Sequence, residues 1–305
     1  HTQCWLLWCC RMRQIGLVLE YVGTGYQGFQ VQAGETPRAP DGAARAGTGR
    51  VIRTVQGAVE DAITRITGER RRITGAGRTD AGVHSLGQVA NFATGSRIPG
   101  DRFAPALNTA LPRDVRVLRS FEAPEGFNAR FDAIAKVYRY VIVPESEPSL
   151  ECSEQGGSAI LWGRALLVRR CLDTGAMSEA ARCLVGQHDF SAFASTGSSA
   201  KTSVRTIRRL AVEAARFKFL GLDAVTVEIE ADGFLYKMVR AIVGALLEVG
   251  AGRADAGLVE WLLASRDRSK GPATAPPDGL YLVRVIYPEP VASLVSGSGS
   301  CERSG

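Results

Sequence analysis

The stretch Gly75-Ala76-Gly77-Arg78-Thr79-Asp80-Ala81-Gly82-Val83-His84-Ser85-Leu86-Gly87-Gln88-Val89-Ala90-Asn91-Phe92 decides how the rest of the chain is read. It is a Gly-rich loop carrying one arginine, one aspartate and one histidine, and it runs into an alternating strand from Gln88 to Phe92. Gly75 and Gly77 permit a sharp turn or a close approach, because glycine has no Cβ to clash. Arg78 and Asp80 stand two apart, and in an irregular loop both side chains can project into one cleft. The same residues also suit a plain β-turn in which Asp80 hydrogen-bonds its own backbone.

Composition narrows the class. The 305 residues suffice for one large domain or two of ordinary size. With 45% apolar and 22% charged residues, the make-up is that of a soluble globular protein. A net charge of +6 tilts the chain towards polyanionic partners. Five of its 37 basic residues are lysines (Lys136, Lys201, Lys218, Lys237 and Lys270), so arginine dominates. Arginine's planar fork suits phosphate and base recognition, and so strong a bias is also what a GC-rich genome produces. Seven cysteines form no CxxC pair, and the three histidines (His1, His84, His188) form no cluster. That argues against a zinc site and for reduced thiols in a cytoplasmic protein. No run of about 18 apolar residues is present, so no transmembrane helix is expected.

Taken in order, the chain reads as mixed α and β. Cys4 to Cys10 is apolar but too short for a membrane span, and no basic flank precedes it. Met12 stands just before the first strand pattern and reads as the start, making residues 1–12 a non-native or disordered extension. Ile15 to Val22 reads as a buried strand, and Tyr21 to Gln32 as a turn rich in glycine and aromatics. Gly34 to Arg50 has no periodicity and is expected to be a flexible surface insertion. Val55, Val59, Ile63 and Ile66 fall at helical spacing, with Gly68 as a stop. Phe103 to Leu111 reads as a short helix and Val115 to Phe121 as a strand. In the strand pattern Lys136 to Val143, Tyr138 and Tyr140 share one face and Arg139 takes the other, which ordinary packing explains.

Glu145 to Ser158 reads as a linker between halves. Met177 to Val185 has helix character. His188-Asp189 suggests a dyad or, more simply, a structural hydrogen-bonded histidine. Strands are expected at Val204 to Val212 and Ala224 to Ala231. A helix opened by Asp232 to Arg240 carries the apolar stripe Leu235, Met238, Val239, Ile242, Val243, Leu246 and Leu247. Arg240, at the edge of that stripe, either snorkels to solvent or needs a partner. A second helix at Leu258 to Leu263 and a strand after Gly279 complete the pattern, and residues 291–305 read as a disordered tail.

The run Gly77 to His84 resembles the signature loop of the TruA family of tRNA pseudouridine synthases. Other elements follow in the family's order: the Tyr21 to Gln32 turn, Asn108-Thr109-Ala110-Leu111-Pro112, the Tyr138 strand, Gly186 to Phe190, Asp232 to Arg240, and Gly279-Leu280-Tyr281-Leu282. The likeness spans about residues 13 to 288. The Gly34 to Arg50 insertion departs from it, as does Phe29, where the family usually has tryptophan. The resemblance implies an α+β fold, the pseudouridine synthase fold: two similar α/β halves share a mostly antiparallel sheet around a central basic cleft. Residues 13–145 would form the N-terminal catalytic half and 146–290 the C-terminal half, which carries the cleft-lining helix. It further implies conversion of uridine to pseudouridine at positions 38 to 40 of the tRNA anticodon stem-loop, by a homodimer without metal or organic cofactor.

The residue roles come from the same resemblance. Asp80 is the nucleophile or base, acting at the uracil ring or at the sugar. Arg240 is its ion-pair partner, and a cation at that place favours the carboxylate form. Tyr138 stacks on the uracil and moves a proton, Arg78 takes the place of the flipped nucleotide or holds a phosphate, and Leu282 packs on the base. The target base lies in a stem and must be flipped out at a cost of about a few kcal/mol, which phosphate contacts in a basic cleft offset. Two other classes compete. One is a catalytically silent RNA-binding protein on the same scaffold, which retention of Asp80, Tyr138 and Arg240 together disfavours. The other is a metal-dependent hydrolase using Asp80, His84, His188 and Asp189, for which the chain lacks a ligand cluster.

Overall fold

The computed structural model describes residues 12–30, 53–144, 158–197, 201–217 and 221–297. Residues 1–11, the Gly34 to Arg50 insertion, the 145–157 part of the linker and residues 298–305 lie outside the described residues. The elements, in chain order, are β1 (Arg13–Tyr21), α1 (Val55–Thr67), β2 (Thr74–Gly75), β3 (His84–Thr94), α2 (Phe103–Asn108), β4 (Val115–Ala123), β5 (Ala135–Pro144) and β6 (Leu166–Val168). They continue with α3 (Thr174–Ala181), β7 (Gly186–Asp189), β8 (Val204–Phe217), β9 (Leu222–Ala231), α4 (Met238–Gly250), α5 (Gly257–Ser265), β10 (Leu280–Ile286) and α6 (Val291–Ser296).

Local chemistry fixes several of these ends. Thr54 caps α1, its hydroxyl accepting from the Gly57 amide at 3.2 Å, which satisfies one of the orphan donors of the first turn. Gly68 closes the same helix at φ +74°, the left-handed geometry that glycine adopts without strain. Val55, Val59 and Ile63, one turn apart, are fully buried. They pack with Ile15, Leu17 and Leu19 of β1 and with Phe103 and Leu107 of α2 in one apolar cluster. A second, larger cluster joins Val18 and Val89 to the strands β5 and β9 and to α3, α4 and α5.

One ten-stranded sheet connects everything, in the order β4-β1-β3-β10-β5-β9-β8-β7, with β2 paired to β3 and β6 to β5. Most pairings are antiparallel; β10 with β3 and β5 with β6 are parallel. The last strand is therefore the seam. It pairs with β3 through Tyr281 opposite His84, and with β5 through Leu282 opposite Tyr138. The mostly antiparallel α+β architecture expected from the sequence is the one observed.

β5 takes its partners β9, β10 and β6 from the C-terminal side. Two boundaries differ. The helix read from Asp232 starts at Met238, because Lys237 adopts φ +60° and breaks the helical path. Leu235 is buried all the same, from the segment ahead of the helix. Part of the tail read as disordered from 291 is the helix α6, with Val291 buried against the second cluster.

Candidate active site

The signature loop is the connection between β2 and β3, and the first turn of the chain holds it from beneath. The Thr79 carbonyl accepts from the Phe29 amide at 3.1 Å, and the Tyr21 hydroxyl lies 2.8 Å from the Thr79 hydroxyl in a buried contact. Burial pushes the Tyr21 phenol up to about 12, against the pull of its hydrogen bonds to Thr79, Gln88 and Ser85, so it stays neutral in this position. Gln88 grips the loop from β3: its amide donates to the Gly77 carbonyl at 2.7 Å and its oxygen accepts from the Gly77 amide at 3.3 Å. Gly28 sits at φ +99°, where an added Cβ would stand 2.6 Å from the Thr79 carbonyl. At Gly75 an added Cβ would stand 2.3 Å from the Phe29 ring. Gly77 has no such conflict within the protein; its empty side faces the Lys136 stem at 3.5 Å. The turn around Phe29 is thus a cradle for the loop, and glycine is what allows the two backbones to touch.

So held, the loop presents Asp80 to a cavity of about 620 Å³. Arg240, in the first turn of α4, meets it there: Nη1 lies 3.2 Å from Asp80 Oδ2. The Arg240 Nε donates to the Ala275 carbonyl at 2.7 Å. The Arg240 side chain is 12% exposed and that of Asp80 22%. Arg240 therefore has its partner and does not snorkel. Of the lining residues described, Asp80 is the sole carboxylate.

Tyr138 lines the same cavity and packs edge-on against Phe234, with centroids 4.9 Å apart. Burial pushes its phenol far above the usual range, with the nearby Tyr21 and Asp80 pushing the same way. Its hydroxyl therefore keeps its proton and can donate a hydrogen bond. Arg78 is exposed at the cavity and takes no ion pair among the described residues. Leu282 is fully buried in the sheet opposite Tyr138 and does not line the cavity. Leu280, on the same face two residues earlier, does line it.

The histidines fall elsewhere. His84 is buried and stacks on Tyr281 at 4.6 Å. Its Nδ1 accepts from the Gly23 amide and its Nε2 faces the Asp278 carbonyl, both at 3.1 Å. An acceptor Nδ1 places the proton on Nε2, and burial holds the imidazole below its ordinary pKa despite those contacts. His188 Nε2 contacts the Val185 carbonyl at 3.1 Å, while Asp189 accepts from the Ser191 amide at 3.0 Å. They form no dyad. No group of three or more metal-ligating side chains exists among the described residues.

Sequence reasoning missed several lining residues: Lys136, Arg130, Arg205, Phe234 and Tyr236. For Lys136 the signal was present, since strand alternation puts it on the face of Tyr138. Arg205 and Phe234 come from segments far apart in sequence that only the sheet order brings together.

A basic cleft floored by one carboxylate, at the seam of a sheet joining two α/β halves, has the build of an enzyme that modifies a nucleic acid. The family model described as tRNA pseudouridine synthase matches residues 18–132 and 180–288, and the chain belongs to that family, whose members isomerise uridine in tRNA. Among curated relatives, tRNA pseudouridine synthase A of Acetivibrio thermocellus is 45% identical, over 90% of this chain and 100% of its own. The protein of the same name from Syntrophomonas wolfei is 42% identical over 91% and 99%. That of Caldicellulosiruptor bescii is 40% identical over 90% and 100%.

Proposed function

We propose that this chain converts uridine to pseudouridine at positions 38 to 40 of the tRNA anticodon stem-loop, as a homodimer in the cytoplasm, with neither metal nor organic cofactor. The observation that carries the site reading is the Asp80–Arg240 pair at 3.2 Å, at a cavity shared with Tyr138. No helix of the described residues is long and apolar enough to cross a membrane.

The reaction needs no external donor. The N1–C1′ bond of uridine breaks, the uracil turns, C5 bonds to C1′, and the proton leaving C5 is balanced by one gained at N1. Asp80 supplies the carboxylate, as nucleophile or as base, and Arg240 holds it in line with the bound nucleotide. Tyr138, whose hydroxyl keeps its proton, stacks by its ring and donates to the turning base. Leu282, from the strand face it shares with the cavity-lining Leu280, backs the base. Arg78, without an ion pair among the described residues, fills the gap left by the flipped nucleotide or takes a phosphate. The two halves, 13–145 and 146–290, each contribute one member of the Asp80–Arg240 pair.

The test is to incubate the protein with an unmodified tRNA transcript in EDTA and map pseudouridine by position. Product at 38, 39 or 40 supports the reading. Product elsewhere in the tRNA overturns the stem-loop assignment, and loss of product with EDTA overturns the metal-free chemistry.

A further inference from the structure

Three cations line the cavity with no ion pair to a carboxylate among the described residues. Lys136 projects from β5, Arg130 from the segment before it and Arg205 from the start of β8, and all three line the cavity. Lys136 is half-buried; its Nζ lies 3.7 Å from the point where a Cβ on Gly77 would stand, so it runs beside the Asp80 loop. Among the described residues Arg205 donates to the carbonyls of Thr202 and Val204 and to the Thr202 hydroxyl. None of the three has an ion pair within 4.0 Å among the described residues. The carboxylates nearest in sequence and pairing are engaged elsewhere: Asp132 accepts from the Asn128 amide, Asp232 from the Thr206 amide, and Glu230 lies 3.8 Å from Arg284.

Such an arrangement is unfavourable for the free protein. A half-buried ammonium loses hydration and is repelled by two guanidinium groups. Burial, with Arg130 and Arg205 adding to it, lowers the Lys136 pKa to about 8. A fold that keeps mutually repelling cations around an open cavity keeps them for an anion that arrives later. In an RNA ligand that anion is the phosphodiester. Lys136 precedes Tyr138 by two residues on one strand face, roughly 7 Å along β5. That is the scale of one nucleotide, from a base stacked on Tyr138 back to its own backbone.

We propose that Lys136, Arg130 and Arg205 form a phosphodiester subsite that grips the backbone of the flipped uridine while its base enters the Asp80–Tyr138 cavity. The inference rests on the synthase reading for the identity of that nucleotide. The three residues position the substrate and take no part in bond making.

The experiment measures binding of an unmodified tRNA transcript over a range of salt, thermal melting, and KM and kcat, for wild type, Lys136→Met and Arg130→Gln. Each substitution is expected to weaken binding roughly tenfold, the loss of one charge-assisted contact. Each should also reduce the slope of log Kd against log salt by about one. KM should rise more than kcat falls. Lys136→Met should melt above wild type, because it removes a repelled, half-buried cation; a structural lysine would do the opposite. An unchanged salt slope in both variants overturns the proposal. Arg130 is exposed, so its variant decides the matter even if Lys136→Met does not fold. Binding is read without turnover. If wild type binds but forms no pseudouridine, the synthase reading falls while the slopes still judge the subsite.

Discussion

Replacing Arg240 by methionine is the perturbation whose size the structure sets most directly. Methionine roughly fills the space of the arginine stem but removes the 3.2 Å contact to Asp80 and the 2.7 Å bond to the Ala275 carbonyl. Breaking a buried ion pair from one side costs about 3–5 kcal/mol. Asp80 is 22% exposed and opens to the cavity, where water recovers part of that, so about 2 kcal/mol is the appropriate share. The orphaned carbonyl adds about 1 kcal/mol. A total of about 3 kcal/mol corresponds to a fall in Tm of roughly 6 °C for a chain of this size. Asp80→Asn alone should cost less, about 1 kcal/mol, because the amide still accepts from Arg240. The double variant should be more stable than the two single losses predict, with a coupling of about 1–2 kcal/mol. Denaturant unfolding of the four proteins gives the cycle. Additivity within about 0.5 kcal/mol would refute the pair as an energetic unit, whatever its geometry.

Other outcomes follow from the same structure. Gly28→Ala forces a left-handed non-glycine residue and a Cβ 2.6 Å from the Thr79 carbonyl; a loss of about 2 kcal/mol or more is expected, with reduced turnover as the Asp80 loop shifts, read by melting and by rate. Tyr138→Phe keeps the ring against Phe234 but removes the proton donor, so kcat should fall by roughly 10²-fold or more with KM little changed, as steady-state kinetics on a tRNA transcript would show. His84 is buried with its folded pKa below the usual 6.5, so below that pH the unfolded chain binds the proton that the folded chain refuses. Stability should therefore drop as pH falls from about 6.5, and melting curves from pH 7 to 5 should fall more steeply for wild type than for His84→Gln.

Much of the fold was legible because local rules and tertiary demands agree. The Val55–Val59–Ile63 spacing and the Gly68 stop both point to the helix that forms. Where they disagree, the reading failed. The stripe through Leu235 looked helical from Asp232 onward, yet the chain turns through a left-handed Lys237 before α4 begins; burial of Leu235 from a loop leaves the same pattern as burial from a helix. Leu282 and Leu280 share a strand face, and sequence cannot tell which reaches the cavity and which fills the seam against Tyr138. Asp80, Arg78, Tyr138 and Arg240 were legible through the resemblance of their motifs, and the structure gathers all four around one cavity. Arg130 and Arg205 were not, since neither carries a motif and their convergence on Lys136 depends on which strands neighbour β5. Val291 to Ser296 is a Ser-containing segment of weak propensity that takes helical form through its contact with the core, which composition alone does not express.

The central claim is that Asp80 performs the chemistry at this cavity, and one measurement addresses it without intermediaries. Wild type and Asp80→Asn would be compared for tRNA affinity and for pseudouridine formation under single-turnover conditions, with enzyme in excess of the transcript. The account predicts comparable binding, because the contacts to phosphate are unaltered, and no detectable product from the asparagine variant. Pseudouridine formed by Asp80→Asn at a rate near that of wild type would contradict it.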